Sequence, residues 1–212
     1  NKSGMMTCCS KMICGGCIYA NAIREREQKI EHKCPFCRHP RAKSEEEAYR
    51  NMKKRVEAND PVALREVGKR RGKEGDYKSA FEYWTKAAAL GDVAAHYSLS
   101  EMYRKGGGVE KDKKLELHHL EVAAIGGHDL ARHNLRCLEE RNGRLDRAVK
   151  HWIIAANLGN DVSLDVLKEW FKVGLVSKED FAVALRAHQA AVDATKSPQR
   201  EAAAKACLSR RG

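Results

Sequence analysis

The chain has 212 residues, with 40 Lys+Arg against 29 Asp+Glu and a formal charge of +11. That length suits one large domain or two smaller ones. No apolar run approaches the ~20 residues that a bilayer-spanning helix needs, so no membrane role is expected. The basic excess is spread: residues 1–57 carry 13 basic and 7 acidic side chains, residues 58–212 carry 27 and 22. Nucleic-acid binding needs clustered cations with aromatic platforms, and only Tyr19 and Phe36 stand near the basic front end, so that class is set aside. The chain shows no secretory leader and begins at Asn1, which points to a fragment of a longer protein.

Six of the eight cysteines fall within the first 37 residues, as Cys8-Cys9, Cys14-x-x-Cys17 and Cys34-Pro-Phe-Cys37. Two Cys-x-x-Cys knuckles separated by 16 residues have the spacing of a zinc site. Zinc favours thiolates, and two intervening residues let a tight turn aim both sulfurs at one ion. All six cysteines are therefore candidate metal ligands. His32 and His39 flank the last knuckle and are expected to be exposed non-ligands. Such clustering favours a reducing, intracellular compartment, cytoplasmic or nuclear, over a disulfide scaffold. Elsewhere only Cys137 and Cys207 occur, on predicted helices, where a buried apolar cysteine is the default.

Between the knuckles, Ile18, Ala22 and Ile23 have helical spacing and predict a short helix from Ile18 to about Gln28. Pro35 and Pro40 prevent a helix there. Ser44-Glu45-Glu46-Glu47 is a capping-box-like start for a charged connecting helix to about Ala58. Asn59-Asp60-Pro61 then caps a new helix with proline at its first position.

From there the chain repeats itself. Trp84-Thr-Lys-Ala87-Ala88-Ala89-Leu90-Gly91 returns 68 residues later as Trp152-Ile-Ile-Ala155-Ala156-Asn157-Leu158-Gly159. Leu120-Glu-Val-Ala123-Ala124-Ile125-Gly126-Gly127 lies between them. Helix starts at Asp60, Asp92, His128 and Asn160 follow the same rhythm. Paired alanines let helices approach closely, and Gly91, Gly127 and Gly159 suit the left-handed position after a helix. Gly75-Asp76 and Asn142-Gly143 mark turns inside the units. Gly106-Gly107-Gly108 is a longer turn and lacks the Lys-Ser/Thr ending of a phosphate loop. Trp84, Trp152 and Trp170 are expected in packing. Adjacent His118 and His119 point about 100° apart on a helix and are not expected to share a metal ion. The carboxylates show no paired apolar setting that would suggest acid–base catalysis.

The repeat resembles the Sel1-like family, relatives of the tetratricopeptide repeats. The best match is Leu99-Ser-Glu-Met-Tyr103-Arg-Lys-Gly106-Gly-Gly108-Val109-x-x-Asp112, with Ala80-Phe-Glu-Tyr-Trp84 and Ala148-Val-Lys-His-Trp152 matching the second helix. Ser100 and Leu120 depart from the usual Gly and Trp. The resemblance implies a mainly α fold, an α/α solenoid.

The front end resembles a RING-type zinc finger over residues 8–41, N-terminally truncated. In that family ligand pairs one and three hold one zinc, and pairs two and four hold a second. The resemblance makes Cys8/Cys9 the second pair, Cys14/Cys17 the third and Cys34/Cys37 the fourth, with the first pair missing upstream. Adjacent Cys8 and Cys9 have a poor bite for one ion. A single-zinc ribbon on Cys14, Cys17, Cys34 and Cys37 is the competing topology. Arg38 matches the position of the linchpin arginine, and Ile18 and Pro35 are candidates for the groove that receives a ubiquitin-conjugating enzyme.

The expected organisation is a partial RING-type finger over 1–42, a charged helical linker over 43–59, about four Sel1-like repeats over 60–196, and a capping helix and tail over 197–212. The resemblances imply a RING-type ubiquitin-protein ligase without a covalent catalytic residue, its solenoid recruiting a protein partner. The alternative is a non-enzymatic scaffold with a structural zinc finger. Residues 1–40 are expected to be poorly fixed without metal, and 60–195 to fold independently.

Overall fold

The computed structural model describes residues 3–208. A short antiparallel hairpin opens it, β1 (Ser3–Met5) paired with β2 (Met12–Cys14), Gly4 facing Ile13. Helix α1 (Gly15–Glu27) follows directly. Then come α2 (Glu45–Glu57), α3 (Pro61–Lys73), α4 (Tyr77–Ala89), α5 (Val93–Lys105) and α6 (Lys113–Ile125). The series continues with α7 (Asp129–Arg141), α8 (Leu145–Asn157), α9 (Asp161–Lys172), α10 (Lys178–Thr195) and α11 (Pro198–Leu208). No described helix is long and apolar enough to cross a membrane.

Most of the helix starts are set by one short polar side chain. Asp60 accepts from the N–H groups of Val62 and Ala63, with Pro61 at a position whose missing N–H costs nothing. Asp76, Asp92, Asp112, Asn160 and Ser177 act alike at α4, α5, α6, α9 and α10. Ser44 caps α2 by accepting from Glu47 N–H, and the Glu47 carboxylate returns to Lys43 N–H. Helix ends rely on backbone handedness: Gly91 has φ +85° and Gly159 φ +85°, a region that is costly for residues with a Cβ.

Among the described residues, α3/α4, α5/α6, α7/α8 and α9/α10 stack as helix pairs. Their core is shared between units. One cluster joins Leu64 of α3 with Ala87 and Ala88 of α4 and Ala95 and Leu99 of α5. A second joins Leu120, Ala123 and Ala124 of α6 to Ala131 and Leu135 of α7. A third joins Trp152 and Ala156 of α8, Leu167 of α9, Val176 of the α9–α10 turn and Ala184 of α10. Every cluster crosses a unit boundary, so no pair buries its apolar face alone and the stack is the stable object. The tryptophans are packing residues, Trp84 and Trp170 flanking the first and third clusters. Trp84 also donates its Nε1–H to Arg65 O at 3.2 Å.

Three expectations are corrected. The helix between the knuckles starts at Gly15, three residues before Ile18, because Cys14 serves as its N-cap and accepts from Cys17 N–H at 3.4 Å. The last helix does not cap the solenoid: α11 packs principally on α1, where Gly16 lacks the Cβ that would meet Arg200 Cα at 2.9 Å. Cys137 is half-buried rather than apolar core, its sulfur accepting from Arg136 Nη2 at 3.1 Å with His133 Nε2 at 3.6 Å. The side chain of Cys207 and residues 209–212 of the expected tail lie outside the described residues.

Candidate metal centre and the repeat stack

Cys8 and Cys9 sit in the turn of the β1–β2 hairpin. Cys9 and Ser10 N–H both donate to Met6 O, and Ser10 adopts φ +55°. That left-handed residue bends the turn back. The Cys34-Pro35-Phe36-Cys37 knuckle closes similarly: Arg38 N–H donates to Cys34 O at 3.0 Å, with Arg38 at φ +61°, and Cys34 N–H donates to His39 O at 2.8 Å. The bridge between Lys33 and Pro40 holds its base.

The two turns bring four sulfurs together. Cys8, Cys9, Cys34 and Cys37 have their Sγ atoms all within 4.8 Å of one another. Cys9 Sγ lies 3.7 Å from Cys34 Sγ, and Cys37 Sγ 3.4 Å from Cys8 Sγ. A tetrahedral ion with metal–sulfur bonds of about 2.3 Å needs sulfurs about 3.8 Å apart. The donor set and its spacing therefore fit a soft divalent metal. Adjacent Cys8 and Cys9 both reach the cluster because the turn, rather than an intervening residue, supplies the bite.

The electrostatics of four crowded thiols favour a cation. Burial pushes the Cys8 thiol well above its ordinary range, with neighbouring sulfurs adding to the effect, and burial likewise raises Cys9. Burial also opposes ionisation of Cys34, but the backbone N–H groups of Cys37 and Phe36 overcome it and bring its thiol down to about 7. One thiolate suppresses its neighbours; a divalent ion removes that repulsion and allows several to ionise.

Cys14 and Cys17 stand apart as a pair at the start of α1. The Cys17 backbone N–H first, then the Cys17 thiol and Arg200, lower the Cys14 thiol to about 7, and Cys14 in turn raises Cys17. Among the described residues no third metal-ligating side chain joins them, and they do not combine with Cys34 and Cys37 in one site. His32 and His39 are exposed and outside the cluster; His32 Nδ1 lies 2.6 Å from the buried Glu25 carboxylate. His119 faces His96 of α5 (Nδ1 to Nδ1 2.9 Å).

The three docking candidates do not line one pocket. Pro35 lines a shallow groove with Met12, Ile13, Phe36 and Arg200. Ile18 is half-buried and turned toward β1, its Cδ1 3.4 Å from where a Cβ on Gly4 would stand. Arg38 is exposed and lines a separate recess with Glu25, Ile30 and Glu31. The start of α11 forms one wall of the Pro35 groove, a feature with no local sequence signal.

Residues 61–92, 93–128 and 140–160 match the family model of the Sel1 repeat. These segments are Sel1 repeats. They are helical repeats of the kind that mediate protein–protein interaction, and the match covers the first two helix pairs and part of the third. The Sel1 solenoid has relatives among solved structures. One is a protective antigen of uropathogenic Escherichia coli strains with an SLR fold (TM-score 0.53, 21% identity, 71% of this chain). This chain covers 34% of that antigen. Another is a Sel1 repeat protein from Oxalobacter formigenes (TM-score 0.50, 27% identity, 57% of this chain and 98% of the other). No curated protein matches the chain. The matched repeats begin at Pro61, so the cysteine-rich segment rests on its own geometry.

Proposed function

We propose that the chain is a protein-interaction scaffold, its Sel1 solenoid presenting a partner surface and its N-terminal module held by one zinc ion on Cys8, Cys9, Cys34 and Cys37. The observation that carries it is the sharing of every core cluster across unit boundaries, which makes α3 to α10 a continuous stack with long exposed helix faces. Zinc in this reading is structural. It fixes a module whose few buried apolar residues, Ile13 and Cys34 among them, make a small core. Free cysteines suit a reducing, intracellular setting.

Photo-crosslinking in cells, from positions on α5, α7 and α9 and from the N-terminal module, tests the scaffold. The expected result is a recurrent partner mapped to contiguous solenoid positions. No recurrent partner at any solenoid position overturns it.

The second reading is a RING-type ubiquitin-protein ligase. It is favoured by the convergence of Cys8/Cys9 with Cys34/Cys37 across the intervening Cys14/Cys17 pair, the interleaving that a cross-brace uses. Here Cys14 and Cys17 await a partner pair from upstream, and Arg38 contacts the ubiquitin–enzyme conjugate. Autoubiquitination by a chain extended upstream, with zinc counted on the same sample, decides it. Two zincs and chains lost on Arg38→Ala establish the ligase; two zincs without chains across many conjugating enzymes leave the scaffold.

A further inference from the structure

Between α7, α8 and α9 lies a pocket of about 350 Å³ whose walls include Arg132 and Arg136, His151 and Trp152, Leu158 and Val162. Arg136 is only 8% exposed. Its guanidinium lies 3.9 Å over the Trp152 ring, and its Nη1 donates to both carboxylate oxygens of Glu140 at 2.9 and 2.8 Å. Its Nη2 donates to His133 Nδ1 at 3.0 Å and to Cys137 Sγ. The remaining donor, Nε, has no partner among the described residues. Arg132 uses one Nη group on Ala124 O, and its Nε is likewise buried without a partner. His151 Nδ1 is a third such atom. Three side chains that line this pocket, on two neighbouring helices, thus each carry a buried, unpartnered nitrogen. Buried N–H groups without acceptors are costly, and the cost is recovered when a ligand oxygen accepts from them.

The charge balance narrows the ligand. Glu140 already neutralises Arg136. Arg132 has no ion pair among the described residues, and the lone carboxylate near it, Asp129, is exposed to solvent at the mouth. One uncompensated cation suits one negative charge. A phosphate dianion would leave excess negative charge beside Glu140. The rim is apolar: Leu158 is 59% exposed and Val162 65%. We propose that this pocket binds the carboxylate of an acidic segment of a protein partner, with an aliphatic neighbour of that residue on Leu158 and Val162. Arg132, half-buried, swings its Nε–H toward the ligand, while Arg136 is held ready by Trp152 and Glu140. The proposal rests on the scaffold reading and gives it a chemistry of recognition.

The test uses the full chain and two probes, acetyl-Leu-Glu-Leu-amide and acetyl-Leu-Gln-Leu-amide, followed on the arginine Nε–H resonances by NMR. The glutamyl probe is expected to move the Arg132 and Arg136 signals saturably, and to bind about tenfold tighter than the glutamine probe. Arg132→Ala weakens it by about the same factor with the circular dichroism unchanged; His151→Ala serves if Arg132→Ala fails to fold. Equal response to both probes, no saturable movement up to about 10 mM glutamyl probe, or tighter binding of inorganic phosphate each overturns the proposal. Those outcomes leave the scaffold reading standing, because crosslinking decides it. A bound glutamyl probe with no crosslinked partner overturns the scaffold reading and retains the pocket.

Discussion

Two glycines on α3 make opposite predictions for one substitution. Gly68 faces the indole of Trp84, and a Cβ there would lie 2.7 Å from both Trp84 Cδ1 and Nε1. Gly72, one turn on, would place its Cβ 3.3 Å from Trp84 Cη2. In an exposed helix interior, Gly→Ala gains about 1 kcal/mol from backbone entropy and propensity. At Gly68 the contact is one that real Cβ atoms do not make. The ring cannot retreat easily, because its Nε1–H is tied to Arg65 O and its body packs on the first core cluster. Overpacking of this kind costs about 1–3 kcal/mol, so Gly68→Ala is expected to destabilise by about 1 kcal/mol net. At Gly72 a shift of a few tenths of an ångström relieves the contact, and Gly72→Ala is expected to be neutral or mildly stabilising. For a chain of this size, 1 kcal/mol moves the melting temperature by about 2–4 °C. Thermal melts by circular dichroism, with urea titrations followed on tryptophan fluorescence, read both variants. If Gly68→Ala raises the melting temperature as Gly72→Ala does, the close approach of α3 to Trp84 is not the constraint on this position.

Cys34→Ser is expected to abolish tight zinc binding while Cys14→Ser leaves it; mass-spectrometric metal counting distinguishes them, and equal loss from both would refute the four-sulfur site. Acidification should release the metal, since protons compete for the thiolates, and chelation should hasten proteolysis of residues 3–40 well before that of the solenoid. His119 is half-buried beside His96 and His118, and desolvation first, then those neighbours, depress its pKa from 6.5 to about 4. A base with a lowered folded pKa binds fewer protons than the unfolded chain, so stability falls as pH drops from about 6.5 towards 4. His119→Gln should flatten that part of the melting-temperature profile; an unchanged slope would remove the assignment. Trp152→Phe loses the Nε1–H bond to Glu140 (3.1 Å) and part of the Arg136 stack, and is expected to cost about 1–2 kcal/mol by urea titration.

The repeat units are legible in the sequence because their physics is local. A cap such as Asp92, an alanine pair such as Ala87-Ala88 and a left-handed Gly91 each do one job within a turn of chain, and they recur at a readable period. The cysteine positions are legible for the same reason, but their grouping is not. Adjacent Cys8 and Cys9 read as poorly matched to one ion because spacing says nothing of a hairpin turn folding at Ser10. The hairpin strands are three residues each, too short for alternation to show. Cys137 departs from the buried default because its environment is set by Arg136 and His133 on the same helix. The α7–α9 pocket is invisible in the sequence for a deeper reason: a hydrogen-bond donor is unpartnered only with respect to a complete surrounding. Sequence names Arg132, Arg136 and His151, but only packing shows which of their nitrogens are left over.

The contact of α11 with α1 joins residues 184 positions apart, Gly16 and Arg200, whereas the solenoid is built from neighbours in the chain. Closing so large a loop costs entropy that grows slowly with length but must be met before any contact there is gained. Neighbouring helices assemble fast because their contacts are local. The order of events follows: the stack forms first, and the α1–α11 latch closes last and opens first. Hydrogen exchange should find α11 the least protected helix, and a deletion at one end of the chain should be felt at the other.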